Sequence, residues 1–172
     1  MFIFSPEDRE AMITFLQELV RTPSPSTQEE KVAQLLAAEM ERVGFDEVRV
    51  DRIGNVVGRV GDGRKPVLIY NGHMDTVGIG DPTAWSRDPF GAEIEGGVLY
   101  GRGACDMKGG LAAMVYGAKL LIDAGTPLPG TLYVVGVVQE EPCEGLGMRV
   151  LMEEEGIWPD YVVLGEATDL QL

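Results

Sequence analysis

Three apolar stretches of the chain each lead into side chains that can bind a metal ion. The stretches lie at 67–70, 132–138 and 161–164. The residues that follow them are, in chain order, His73 and Asp75, then Glu140 and Glu141, then Glu166. One imidazole and several carboxylates form an oxygen-rich donor set that suits a divalent metal. The residue types therefore predict a metal site.

The stretches themselves have the character of strands. Short apolar runs that are rich in β-branched residues and bounded by glycine or proline are typical of buried strands in a parallel sheet. In an open α/β sheet the ligand crevice lies outside the carboxyl ends of the strands. If the three strands are parallel, His73, Glu140, Glu141 and Glu166 gather on one rim of the sheet.

His73 is the only histidine of the chain. A lone histidine is more often a packed or surface side chain than a ligand, but this one directly follows a predicted buried strand. Asp75 lies two residues further on, and residues two apart in an extended segment point to the same side. We therefore expect Asp75 to orient the imidazole through its second nitrogen, as metal-bound histidines usually require.

Asp106 lies in a glycine-rich loop, 101–110, just before a predicted helix. Aspartate at such a position is commonly a plain helix cap or turn residue. The glycines also suggest a phosphate loop, but their spacing matches neither a P-loop nor the dinucleotide-binding fingerprint. A third role is that of a carboxylate placed between two metals.

Glu140 and Glu141 are adjacent acids at the end of a largely apolar run. Burying such a pair is costly unless the acids are paired or bound to metal. Neighbours at a strand end diverge, so that one acid can bind metal while the other faces a substrate water. The alternative is a solvated pair at a loop entrance. Cys143 could approach the site, although a buried structural role is the usual one for it and for Cys105.

Helices are expected between these strands. Ser5 followed by Pro6 is a typical helix start, and the segment 27–30 (TQEE) matches a capping box before a second helix. Apolar residues at helical spacing predict a third helix over 111–122, and a fourth is expected near 145–155. The predicted strands lie near 48–50, 56–60, 67–70, 131–138 and 161–164.

This alternation predicts an α/β domain over 1–172, with a mostly parallel twisted sheet flanked by helices. The segment 78–97, rich in Gly, Pro and Asp, is expected to be a loop or an excursion from the sheet. The metal site is expected at the carboxyl ends of the strands.

Composition narrows the classes of partner. The formal net charge of −14 argues against nucleic acid and against an anionic membrane surface. Two cysteines give no disulfide framework, and no apolar run approaches a membrane span. The segment 1–8 lacks a basic region and a long apolar run, so we expect no signal peptide and a cytoplasmic setting.

Four motifs, in order and at compatible spacing, resemble the signature of the M20 metallopeptidases. They are NGHMDTV at 71–77, GRGACDMKGG at 101–110, the acidic pair at 140–141, and GEAT at 165–168. The segment 85–90 (WSRDPF) is also similar to that family, which includes acetylornithine deacetylase, succinyl-diaminopimelate desuccinylase, aminoacylase and carboxypeptidase G. The resemblance covers nearly the whole chain.

The resemblance implies a two-metal centre. His73 and Glu166 would hold one metal, Asp106 would bridge the two, and Glu141 would hold the second. Zinc is the expected metal, with cobalt or manganese as alternatives for an oxygen-dominated site. In such centres two metals about 3.5–4 Å apart polarise the substrate and activate a water molecule.

The same resemblance implies a reaction and the residues that assist it. Glu140 would be the general base that takes a proton from the attacking water and passes it to the leaving amine. Asp75 would support His73, and the peptide bond between Asp106 and Met107 would be cis. The expected substrate is an N-acyl amino acid or a small peptide, cleaved at its amide bond.

The chain also departs from the family pattern. Family members supply a further histidine to the second metal from near their C-terminus, and this chain has no second histidine. It ends at Leu172, where the smaller lid and dimerisation domain would begin. We therefore expect the N-terminal portion of a catalytic domain, without the lid and the closing part, from an enzyme that would be a homodimer when complete. The rival hypothesis is a truncated, non-catalytic metal-binding domain.

Overall fold

The computed structural model of the protein describes residues 4–125 and 127–168. The expectations that concern the first three residues and the chain end at Leu172 lie outside the described residues. None of the helices in the described ranges combines the length and the hydropathy needed to span a bilayer.

Helices and strands alternate along the chain. In order, the elements are α1 (Pro6–Arg21), α2 (Glu30–Val43), β1 (Glu47–Val50), β2 (Val56–Val60), β3 (Val67–His73), β4 (Glu93–Glu95), β5 (Val98–Tyr100), α3 (Gly109–Asp123), β6 (Thr131–Val137), α4 (Leu146–Glu153) and β7 (Tyr161–Leu164). A 3₁₀ turn at Pro82–Ala84 and a π-type turn at Ala104–Lys108 complete them. Each strand and helix predicted from the sequence is present.

Five strands form the main sheet, in the order β1-β2-β6-β3-β7. β6, β3 and β7 are parallel to one another, whereas β2 is antiparallel to both of its neighbours, β1 and β6, which makes the sheet mixed. The register places His73 beside Val137 and Asn71 beside Leu164. The predicted α/β class is confirmed, and the parallel arrangement holds for the three strands whose ends carry the metal-ligand residues.

Helices cover both faces of the sheet. Apolar side chains of α1, α2 and α3 pack on one face, and α4 packs on the other through Leu151 and Met148. Gly136 of β6 permits close packing on the first face, since a Cβ there would lie 2.4 Å from Cδ2 of Leu36. A tightly packed sheet is a rigid support for residues at its rim.

Helix α1 begins as predicted, with the Ser5 hydroxyl accepting a hydrogen bond from the Asp8 N–H at 2.9 Å. The capping box predicted for α2 is wrong. Glu29 is the N-cap, and no side chain caps the helix. Thr27 has φ +75°, and Glu29 instead accepts a hydrogen bond from the distant Gln139 N–H. The hydrogen bond between Glu29 and Gln139 is thus formed in place of the predicted capping box.

The segment 78–97 leaves the main sheet, as expected. It contains the 3₁₀ turn and β4, which pairs with β5 in a separate antiparallel hairpin. Gln17 of α1 donates a hydrogen bond to the carbonyl of Ala92 at 2.9 Å and ties this excursion to the body of the domain.

Candidate metal centre

His73 occupies the last position of β3, between the ends of β6 and β7. Its side chain is 2% exposed. Nδ1 lies 2.8 Å from the carbonyl oxygen of Asp75. A carbonyl oxygen can only accept, so Nδ1 carries the proton and Nε2 faces the acidic residues. This is the orientation that a histidine ligand needs.

Two carboxylates meet Nε2 of His73. Oδ1 of Asp106 is 2.8 Å away and Oε1 of Glu166 is 3.9 Å away. One potential ligand atom from each of the three residues lies within 4.8 Å of the others. The carboxylate side chains are 62% and 40% exposed, so the cluster opens to solvent on one side. The structure brings together three of the four predicted metal ligands.

Asp106 is placed by the turn that precedes α3. The peptide bond between Asp106 and Met107 is cis, as the family resemblance implied. Met107 is fully buried, and so is Lys108. The Lys108 ammonium donates to the carbonyls of Leu19 and Thr22 at 2.8 and 2.9 Å. The turn is thus anchored to the end of α1, where a cation also interacts favourably with the helix dipole.

Glu166 is placed by a close approach between backbones. Gly165 donates its N–H to the carbonyl of Asn71 at 3.0 Å, which continues the pairing of β7 with β3. Its own carbonyl packs against Gly110 in the first turn of α3, where a Cβ would lie only 2.7 Å from that oxygen. The absence of a side chain at Gly110 therefore brings the segments of Asp106 and Glu166 together.

The Asp75 side chain is fully buried, and the hydrogen bond to His73 that was expected from its carboxylate is made by its main-chain carbonyl. Its carboxylate lies 3.6 Å from Nδ1 of His73, whereas its carbonyl lies at 2.8 Å. The carboxylate accepts hydrogen bonds from the Ser26 hydroxyl and from the N–H groups of Glu140 and Glu141. The main chain of Asp75 holds the imidazole, and its side chain holds the acidic pair.

Glu141 lies outside the three-residue cluster in the described part of the chain. Oε1 of Glu141 accepts a hydrogen bond from the Val77 N–H at 3.2 Å. The assignment of Glu141 to a second metal, and of Glu140 to the base, therefore stays a prediction. The contact with Asp75 does place both residues beside the rim that carries His73.

The charges of the site act on one another. Partial burial raises the pKa of Glu140 above its ordinary value, and the charges of Glu166, Glu141 and Asp75 add to this while His73 opposes it. Partial burial likewise raises the pKa of Glu166. Burial disfavours the imidazolium of His73. The hydrogen bonds to Asp106 and to the Asp75 carbonyl, together with the charges of Glu166 and Asp75, outweigh this effect, so the pKa of His73 is raised.

The predicted burial of the two cysteines is wrong, since Cys105 and Cys143 are both exposed. Each lies in the turn that carries an acidic residue of the site rather than within a packed element. Three other side chains were missed by sequence reasoning: Ser26, Glu29 and Lys108. Their partners lie 49 to 110 residues away, so no local pattern revealed them.

A model of peptidase family M20/M25/M40 matches residues 69–171, more than half of the chain. The uncharacterized protein YgeY of Escherichia coli (strain K12) is 43% identical over 161 residues, which are 94% of this chain and 40% of the relative. Succinyl-diaminopimelate desuccinylase 2 of Ruegeria sp. (strain TM1040) is 38% identical over 90% of this chain and 40% of its own length. The chain thus spans about 40% of the length of these curated relatives.

Solved structures share the fold. The M20 family metallo-carboxypeptidase Sso-CP2 from Sulfolobus solfataricus superposes with a TM-score of 0.77 at 24% identity, over 94% of this chain and 37% of its own. The YXEP protein of Bacillus subtilis, described as a dinuclear metal binding peptidase from the M20 family, gives 0.68 at 18% identity, over 90% and 42%.

Proposed function

The chain belongs to peptidase family M20/M25/M40, and we propose that it carries the metal-binding and general-base residues for hydrolysis of an amide bond. The observation that carries the proposal is the convergence of His73, Asp106 and Glu166, with ligand atoms within 4.8 Å of one another. The substrate would be an N-acyl amino acid or a small peptide. This class is supported by two similar proteins, a succinyl-diaminopimelate desuccinylase and an M20 family metallo-carboxypeptidase.

The donor set fits a divalent metal. Nε2 of His73 is presented by the contact of Nδ1 with the Asp75 carbonyl, and two solvent-open carboxylates face it. His73, Asp106 and Glu166 would hold the first metal, and Asp106 with Glu141 would contribute to a second. Zinc is proposed, with cobalt or manganese as alternatives. When bound, such a metal polarises the scissile carbonyl and acidifies the attacking water.

Glu140 would move the proton. Its raised pKa brings the carboxylate closer to the range in which it can both take a proton and return it. It would accept a proton from the attacking water as the new carbon–oxygen bond forms. It would then give that proton to the amine nitrogen as the carbon–nitrogen bond breaks. Asp75 would keep Glu140 in place through the Glu140 N–H.

A second candidate function is a metal-binding domain without catalytic activity. It is favoured by the position of Glu141 outside the cluster and by the lack of a second histidine. The amide-hydrolysis proposal, by contrast, takes residues 1–172 to be a domain that works in the cytoplasm, and only within a longer homodimeric enzyme. The whole protein's activity is part of this proposal, because the chain spans 40% of the length of its relative YgeY.

Two measurements test the proposal, one on the purified chain and one on the complete enzyme. Zinc titration of the chain by calorimetry should show one clearly tighter step, which His73→Asn should abolish. The complete, zinc-loaded enzyme should hydrolyse members of a panel of N-acyl amino acids and dipeptides, and Glu140→Gln should slow this hydrolysis. Zinc binding without hydrolysis would favour the non-catalytic domain, and zinc binding that survives His73→Asn would contradict the site.

A further inference from the structure

The turn that carries Glu140 and Glu141 is fixed by carboxylates of the protein itself. Three consecutive N–H groups in this turn point at buried acids. The Gln139 N–H donates to Oε1 of Glu29 at 2.9 Å, and the next two N–H groups donate to the carboxylate of Asp75 at 3.1 and 3.3 Å. Successive backbone N–H groups in a turn favour anionic partners, and here the partners are the carboxylates of Glu29 and Asp75.

The backbone of this turn needs outside support. Gln139 has φ +54°, a conformation that residues other than glycine rarely adopt. Such a conformation persists where the surroundings impose it. Glu29 is the first of the supporting groups along the turn, and it contacts the strained residue directly.

Glu29 is also well placed to hold a fixed position. Its side chain is buried, with the residue 5% exposed, and it stands at the N-cap of α2, where the helix dipole favours a negative charge. The loop before it pairs with the segment after β3. The Ser24 hydroxyl donates to the Met74 carbonyl at 2.8 Å, and the Ser26 hydroxyl donates to Asp75 at 2.6 Å. The loop before α2 therefore supports both carboxylates, Glu29 and Asp75, that accept hydrogen bonds from the turn.

We propose that Glu29 is a positioning residue, whose carboxylate fixes the Gln139 N–H and thereby sets the direction in which Glu140 and Glu141 project. An effect of Glu29 on turnover rests on the proposed function. Its effect on the conformation of the turn does not, because the hydrogen bond to Gln139 is present in the metal-free chain. Glu30, the next residue, is the natural control, since it is exposed and contacts Gln34 on its own helix.

Hydrogen exchange of backbone amides in the metal-free chain tests the proposal. In Glu29→Ala the amides of 139–141 should exchange about 10- to 100-fold faster, because a charged acceptor has been removed. Protection in β3 and β6 should be unchanged. Glu29→Gln keeps an acceptor oxygen and should restore most of the protection, and Glu30→Ala should match the unmodified chain.

A zinc titration of the same variants links the turn to the site. Glu29→Ala should keep the first zinc equivalent, which depends on His73, because none of its ligands lies in this turn. Unchanged exchange at 139–141 in Glu29→Ala would overturn the proposal. An equal loss of amide protection in Glu30→Ala, or a uniform loss of protection over the whole sheet in Glu29→Ala, would also overturn it. A chain that fails to bind zinc at His73 would refute the proposed function and leave the exchange result to decide about Glu29.

Discussion

Gly110 offers a way to disturb the candidate site without removing any of its ligands. A Cβ at this position would lie 2.7 Å from the carbonyl oxygen of Gly165 and 2.8 Å from Cε of Met107. Ordinary contact begins at 3.4 Å. The methionine end can move, but the backbone oxygen belongs to the residue before Glu166. In Gly110→Ala we therefore expect α3 and this segment to separate by about half an ångström or more.

Gly117, on the same helix, provides a matched control for the effect of Gly110→Ala on the free energy of unfolding. A Cβ at Gly117 would meet nothing within 4 Å. Gly117→Ala should stabilise the chain by about 0.5–1 kcal/mol, because alanine loses less backbone entropy in a helix. Gly110→Ala gains a similar term but adds a clash of about 1–3 kcal/mol. The two variants should therefore differ in their free energy of unfolding by about 1–3 kcal/mol.

The site should respond as well as the fold. Functional constellations tolerate displacements of only about 0.5 Å, so zinc affinity in Gly110→Ala should fall by roughly tenfold, within the range seen when supporting groups are removed. Gly117→Ala should bind zinc like the unmodified chain. Urea denaturation and competition with a chromophoric chelator measure the two quantities. Equal unfolding free energies and equal zinc affinities in both variants would refute the packing argument.

Four further substitutions, two of them studied as a function of pH, test other features of the site and of the turn that supports it. Glu140→Gln in the complete, zinc-loaded enzyme should lower turnover by about 10²–10⁴ with unchanged metal content, whereas Glu141→Gln should weaken the second metal; the reverse pattern would exchange their roles. Because the pKa of His73 is raised above its ordinary value of 6.5, protons should compete with zinc for this side chain above pH 6.5. When the pH is lowered from 8 to 6, zinc affinity should therefore begin to fall at a higher pH than it would for a free imidazole. In the metal-free chain the stabilisation linked to His73 should be complete below pH 6.5 and disappear as pH rises through the raised value, and a pH-independent difference from His73→Gln would contradict this. Burial lowers the pKa of Lys108 to about 8, so stability should rise between about pH 8 and 10.5 as the folded state releases that proton first; Lys108→Met, followed by urea denaturation at each pH, should remove this rise.

The site residues that could be predicted from the sequence are those whose flanking residues form a recognisable pattern. His73 and Glu166 follow apolar strands, and Asp106 lies in a glycine-rich loop before a helix. The three parallel strands then bring their ends together, as the general rule for such sheets requires. Helix α1 was similarly recognisable, because Ser5 and Pro6 specify its start through contacts within a single turn.

Interactions between distant segments could not be predicted in this way. The segment at 27–30 has the local pattern of a capping box, yet Glu29 is turned toward Gln139, which lies 110 residues away and only becomes its neighbour once the sheet forms. The carboxylate of Asp75 was expected to contact His73, but it lies 3.6 Å from Nδ1 and accepts hydrogen bonds from the N–H groups of Glu140 and Glu141, which are distant in sequence. The sequence around Lys108 gives no sign that its side chain is buried, because its hydrogen-bond acceptors are carbonyls at the distant end of α1.

X-ray absorption by the zinc-loaded chain tests most directly whether His73 and the neighbouring carboxylates form a metal site. We expect one imidazole nitrogen and carboxylate or water oxygens at about 2.0–2.2 Å from the zinc, without sulfur. The imidazole signal should disappear in His73→Asn. A zinc–sulfur distance near 2.3 Å would show that an exposed cysteine, Cys105 or Cys143, binds the metal. That result would contradict the assignment of His73, Asp106 and Glu166.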